Sequence, residues 1–194
     1  NTLPDQFILK CTHNSSGGII CKDKNTFDWD KARKHFKYYL KQNYFIRSRE
    51  YPYKNVPHRI IAEQFMVNGN DTDLKDYKFF CFNGRAEYCQ LIANRSTHET
   101  IAFYNRDWQL QEFIGLSKKV HHSAKKIPRP KTFELMKKFA ATLAQGSIFR
   151  RIDFYEVRDK AYFGEITFYP NAGLGTFTPD KWNKILGDML NLRG

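Results

Sequence analysis

Apolar positions along the chain recur with two periods, and each period predicts elements. Alternation and short apolar runs mark Phe7–Cys11 (FILKC), Ile19–Lys22, Arg59–Met66 (RIIAEQFM), Tyr77–Phe82 (YKFFCF) and Arg85–Ile92 as strands. Asn83-Gly84 between the last two is a hairpin signal, because a tight turn there needs positive φ and both residue types accept it. Helical spacing appears over Asp28–Leu40, where Trp29, Ala32, Phe36, Tyr39 and Leu40 share a face and Asn25 or Thr26 supplies the cap. A second helix runs over Phe133–Gln145 and stops at Gly146. Thr178-Pro179 is expected to open the last helix, with Trp182, Ile185, Leu186 and Met189 as its apolar stripe. No internal repeat, low-complexity tract or clear linker interrupts this order.

The stretch Arg150–Asn171 (RRIDFYEVRDKAYFGEITFYPN) predicts two further strands around a charged turn. Alternation puts Arg151, Asp153, Tyr155 and Val157 on one face of the first, and Ala161, Phe163, Glu165 and Thr167 on one face of the second. With a three-residue loop, Arg158 to Lys160, Asp153 lies across from Glu165. Paired side chains sit ~5 Å apart at Cβ, and like charges there are unfavourable. A divalent cation bridging both carboxylates would turn that cost into a site. With a two-residue turn, the two acids fall on opposite faces and become ordinary surface groups.

The 194 residues, 41% of them hydrophobic, suffice for one sizeable core or two small coupled subdomains. Seventeen Phe and eleven Tyr favour sheet. No apolar run approaches the ~20 residues of a membrane span, and no signal-peptide pattern opens the chain. It starts without Met and enters a strand almost at once, as a fragment of a longer protein would. Cys11, Cys21, Cys81 and Cys89 lack metal-binding spacing and read as buried free thiols of a reducing compartment. The net charge of +12 implies an anionic partner. The densest basic stretch, residues 116–131, carries Lys118, Lys119, Lys125, Lys126, Arg129 and Lys131 and no acid. It lacks an aromatic stacking ladder, and no nucleic-acid motif occurs, so nucleic acid is not favoured.

Lys10 and Lys78 lie inside strands, where lysine is depleted and rarely buried unless paired. Each either faces solvent or meets an anion such as phosphate. His13–Gly18 (HNSSGG) is a turn-forming loop whose backbone amides could also wrap a phosphate. It is not a Walker motif, and kinase and serine-hydrolase signatures are missing. His121-His122 has no acid nearby in sequence, and His13 is a candidate base.

The order FILK, Gly/Ser loop, RIIAEQF, DYKFFCFNG, RRIDFY and GEITFYP resembles the ATP-grasp superfamily, and within it the TupA-like family found with bacterial surface-polysaccharide synthesis. The resemblance runs from about Leu3 to Leu192. It implies an α+β ATP-grasp fold of mainly antiparallel sheets flanked by helices, with a central subdomain over 1–62 and a C-terminal one over 63–194. It also implies an N-terminal subdomain, usual in the superfamily, that would lie before the first residue of this chain. It implies ATP and Mg2+ as cofactors. Lys10 and Lys78 would reach the phosphates, and the loop of His13, Ser15, Ser16, Gly17 and Gly18 would close over them. Glu63, Gln64, Phe65 and Met66 would line the adenine pocket, with Asp76 near the ribose. Asp153 and Glu165 match the magnesium ligands, and Arg151 matches the arginine that stabilises the reacting acyl group. The second metal motif departs from the common Glu-x-Asn: here it is Glu165-Ile166-Thr167, with Asn171 as a substitute donor, which leaves the number of metals open. The implied activity is a carboxylate–amine ligase joining, for instance, an acidic sugar or glycan to an amino acid. The implied location is the cytoplasm or the inner membrane face. A phosphotransferase acting on a sugar, a glycosyltransferase and a non-catalytic basic module are the alternatives.

Overall fold

A computed structural model of the chain describes residues 2–68, 73–116, 121–123 and 126–192. The chain divides into two compact units, Asn1–Met66 and Val67–Gly194.

In the first unit, strands β1 (Phe7–Cys11), β2 (Ile19–Cys21) and β3 (Ile60–Gln64) form an antiparallel sheet in the order β2-β1-β3. Phe7, Leu9, Cys11 and Cys21 pack with Phe36 of helix α1 (Trp29–Tyr39). The α1 cap is Asp28 and not Asn25 or Thr26. The Asp28 carboxylate accepts from the Lys31 amide at 2.8 Å, whereas Asn25 and Thr26 are held in a turn on Asp23. A short helix α2 (Tyr44–Ser48), capped by Asn43, was not among the sequence expectations. At five residues it is too short for helical periodicity to register.

In the second unit, strands β4 (Asp76–Phe82), β5 (Arg85–Ala93) and β6 (Thr100–Asn105) are followed by β7 (Ile114–Gly115), β8 (His121–His122) and helix α3 (Phe133–Ala144). Strands β9 (Phe149–Val157), β10 (Lys160–Thr167) and β11 (Phe177–Thr178) and helix α4 (Lys181–Asp188) complete it. Six strands form one sheet in the order β10-β9-β4-β5-β6-β8, antiparallel except for the β6–β8 pair, while β7 and β11 pair separately. Phe133, Met136, Ala140 and Ala144 fall at helical spacing and seat α3 on Tyr77, Phe79, Ile152 and Phe154 of one sheet face. On the other face Phe80, Phe82, Ile92 and Phe103 pack with Phe113 and Leu186 of α4. Every residue of β4 is therefore buried, including Asp76 and Lys78. The four cysteines are free and buried.

Two expectations need correction. Helix α4 begins at Lys181, because Thr178 is used in β11 opposite Ile114; Ile185 is exposed rather than part of a buried stripe. The β9–β10 turn has two residues and not three: Arg158 and Asp159 both have positive φ (51° and 59°), and Val157 pairs with Lys160. Asp153 nonetheless pairs with Glu165, because the register shifts between Phe163 and Glu165. The extra residue is Gly164. A Cβ there would lie 3.1 Å from the Tyr155 ring and 3.2 Å from the Asp153 carbonyl oxygen, so glycine suits the bulge.

Met136 is fully buried between α3 and the sheet. Met136→Ala should lower unfolding free energy by about 2–5 kcal/mol, as a smaller midpoint with unchanged slope in urea titration.

Candidate functional site

The bulge at Gly164 brings β10 into line with the rows that β5, β4 and β9 form, so polar side chains line up across one face of the six-stranded sheet. Gln90, Lys78, Asp153 and Glu165 stand opposite one another on β5, β4, β9 and β10. One step along the strands, Asp76 faces Tyr155, which faces Tyr162; one step the other way, Phe80 faces Arg151, which faces Thr167.

The charges in these rows alternate in sign. Arg95 Nη2 donates to Asp76 Oδ2 at 2.7 Å, and Lys78 Nζ donates to the same oxygen at 2.9 Å. Lys78 also donates to Asp153 Oδ2. Arg151 forks onto Asp153, Nε to Oδ1 and Nη2 to Oδ2, both at 2.8 Å, and Nη2 donates to Thr167 Oγ1 at 2.8 Å. Glu165 ends the series 3.9 Å from Arg151 Nη2. Three cations thus face three carboxylates. The Asp76 and Asp153 side chains are 2% exposed and that of Lys78 10%, whereas Glu165 is 51% exposed. A buried charge is tolerated only when paired and hydrogen-bonded, and this series meets that condition at every step but one: Asp76 Oδ1 is buried without a hydrogen-bond partner. Burial alone would lower the Arg151 pKa; Asp153, Glu165 and Asp76 together outweigh it and raise the value above that of a free guanidinium. Burial, and after it the charge of Asp76, pushes the Tyr155 phenol up to about 12, with Arg95 opposing.

The positive charge needed between Asp153 and Glu165 is thus present within the sheet, from Lys78 and Arg151. The donor chemistry also suits Mg2+. Mg2+ is commonly held by one or two carboxylates, with waters and phosphate oxygens filling the remaining positions. Glu165 is the accessible donor; Asp153 and Thr167 would exchange an Arg151 or Lys78 contact for the ion. Among the described residues, no group of three or more His, Cys, Asp or Glu gathers into a protein-only metal site.

In the first unit, Lys10 Nζ donates to Glu63 Oε2 at 2.5 Å, and both side chains are nearly half exposed. His13 is buried: Nε2 meets the Tyr39 carbonyl at 3.1 Å, its ring stacks on His58 at 3.6 Å, and Nδ1 has no hydrogen-bond partner. Gly17 has φ 83°, accepts from His35 Nε2 at 2.7 Å, and has no room for a Cβ beside the Tyr39 ring. Ser15, Ser16 and Gly18 between and beyond these anchors are exposed. Gln64 is exposed at the end of β3, and Phe65 and Met66 are half-buried.

Lys118, Lys119 and Lys125 lie outside the described residues, as do the side chains of His121 and His122. Arg129 pairs with Glu134 at 2.5 Å and Lys131 with Asp159 at 2.6 Å. Sequence reasoning missed Arg95 and Gln90, and placed Tyr155 on the Asp153 face without giving it a role. Gln90 and the role of Tyr155 follow once the strand pairs are known. Arg95 carries no signal of its own, since it reaches Asp76 only after Asn94 turns the chain with φ 57°.

A sequence model of the family described as TupA-like ATPgrasp matches residues 1–191. Among solved structures, the D-alanine–D-alanine ligase of Bacillus anthracis is similar at a TM-score of 0.50 and 13% identity over 95% of this chain. A structure of that ligase complexed with ATP gives 0.46 at 13% identity, covering 95% of this chain and 49% of that one. The Helicobacter pylori D-alanine–D-alanine ligase gives 0.39 at 16%, covering 89% and 44%. At these identities the first likeness is one of fold, ATP-grasp. The chain spans about half of the first ligase's length, 52%. No curated protein matches the chain.

Two outcomes follow from the geometry. Lys78→Met breaks a buried pair on two sides and should cost about 3 kcal/mol of stability, read by urea unfolding. Tyr155 has a folded pKa of about 12 against an ordinary value of about 10. The unfolded chain therefore loses this proton first, and the folded state should weaken as pH rises from about 10 through 12. Below pH 10 this group should add no slope. Comparing Tyr155→Phe with the parent chain in alkaline unfolding isolates that contribution.

Proposed function

Because the chain belongs to the TupA-like ATP-grasp family, we propose that it is an ATP-dependent carboxylate–amine ligase. The observation that carries this reading is the alternating series Arg95–Asp76–Lys78–Asp153–Arg151–Glu165 on one sheet face. In such a series a phosphate could replace a carboxylate as the partner of Lys78 or Arg151, leaving no cation unpaired. Asp153 and Glu165, with Thr167 beside them, would hold Mg2+, which would supply neutralisation of phosphate charge.

In this reading Lys78 holds the phosphates as a point charge. A substrate carboxylate oxygen attacks the γ-phosphorus, the bond from phosphorus to the β–γ bridging oxygen breaks, and ADP departs. The resulting acyl phosphate is attacked at carbon by an amine nitrogen. The Arg151 guanidinium, positioned by Asp153 and Thr167, stabilises the tetrahedral oxyanion. Collapse breaks the carbon–oxygen bond to phosphate, and the nitrogen loses a proton to give the amide. No covalent enzyme intermediate is needed, so positioning and charge carry the rate.

The ATP-holding roles proposed for Lys10, for the loop His13–Gly18, for Glu63–Met66 and for Asp76 near the ribose rest on the family resemblance. So do the subdomain identities, a place in surface-polysaccharide synthesis and an amino acid as the amine substrate.

Product analysis tests the reaction class. With an acid and an amine supplied, ADP, inorganic phosphate and an amide should form in equal amounts, and Asp153→Asn or Glu165→Gln should reduce turnover at least 100-fold. ADP with a phosphorylated sugar and no amide would assign a phosphotransferase instead. Full turnover in both variants would remove the metal assignment.

A further inference from the structure

Two of the strands that carry the charged series, β4 and β9, continue into an apolar cavity within the second unit. Along β4, Lys78 is followed on its face by Phe80 and Phe82; along β9, Asp153 is preceded by Arg151 and Phe149; and Phe82 pairs with Phe149. These rings line a cavity of about 760 Å³, closed by the segment from Phe168 to Gly175 and by Leu186, Gly187 and Leu190. The volume lies within the usual range for small-molecule sites. Phe80, in the cavity wall, stands opposite Arg151 across the β4–β9 pair, and Phe149, also in the wall, lies two residues before Arg151 on β9, so the cavity adjoins the residue assigned to the acyl group.

The lining offers little to hydroxyl groups. The Asn183 amide is already used: it donates to the Phe177 carbonyl at 3.2 Å and to Asp180 Oδ1 at 2.8 Å, and accepts from the Phe177 amide at 2.8 Å. Tyr169 contributes the remaining side-chain hydroxyl. A hexuronic acid would bury several hydroxyls here without partners, a costly arrangement. An aliphatic or aromatic group would exchange water for close apolar contact.

We infer that this cavity receives the apolar body of the acyl donor, so that the activated substrate is a carboxylic acid bearing an aromatic or aliphatic group and not a hexuronic acid. The inference rests on the ligase reading for the role of the carboxylate; the cavity's preference for an apolar acid does not depend on it.

Calorimetric titration of the chain with 3-phenylpropionate, octanoate and glucuronate, each with and without Mg·ATP, tests the inference. The two apolar acids should bind at least ten-fold more tightly than glucuronate. Gly187→Leu should weaken their binding at least ten-fold, because a Cβ at Gly187 meets nothing within 4 Å and the longer side chain would occupy the open volume. Leu192→Asp, at a rim position 75% exposed and hence safe for folding, should weaken it several-fold. Glucuronate binding as tightly as the apolar acids, no acid binding at all, or both variants binding as the parent does would overturn the inference. If the apolar preference and its loss in the variants hold while Mg·ATP does not bind, the ligase reading fails and the cavity stands as an apolar-acid site.

Discussion

Lys78 between Asp76 and Asp153 is the interaction on which the second unit depends. Strand β4 is covered on both faces, so a lysine at its centre keeps little contact with water, with 10% of its side chain exposed. It is tolerable only with carboxylates in contact, and Asp76 and Asp153 supply them from its own strand and the next. Each carboxylate then needs more than one cationic contact to offset its own burial, which Arg95 and Arg151 provide. Arg151 in turn fixes Thr167 and lies near Glu165, and the Gly164 bulge is what keeps Glu165 in that row. Replacing the whole series by apolar residues of similar size would satisfy the fold as well. A costly charged arrangement in the middle of a sheet therefore points to use.

The elements whose patterns are strong and local were legible in the sequence. FILKC, YKFFCF and the helix over Phe133–Ala144 emerge from alternation and helical spacing, and each sits where its apolar face finds a partner. The Asp153–Glu165 pair was one of two alternatives left open, and it was tied to a three-residue loop that the chain does not have. The real route, a two-residue turn plus a bulge, gives the same pairing, and only Gly164 hints at it. Register is a sum of local counts, so two compensating errors leave the pairing intact. Arg95 and the exposed Ile185 were not legible, because one depends on a single positive-φ residue and the other on where α4 starts.

The basic balance of the chain is more evenly spread than a scan of residues 116–131 implies. Within the described part of that stretch Arg129 and Lys131 are spent on Glu134 and Asp159, and Arg129 also lies over the Phe133 ring. In the charged series cations and carboxylates match one for one. In the proposed ligase, anion binding would thus come from cations that trade partners, not from a surplus of positive surface. In that ligase the apolar cavity beyond Phe80 would add the complementary part, a place for the uncharged body of a substrate whose charged end is held at Arg151.

ATP titration by calorimetry, on the parent chain and on Asp153→Asn with and without magnesium, tests the central claim most directly. The account requires binding to the parent chain that is strengthened by magnesium, and loss of that magnesium dependence in Asp153→Asn. Binding of ATP that is indifferent both to magnesium and to the substitution would contradict it, and would leave the alternating charges as structure alone.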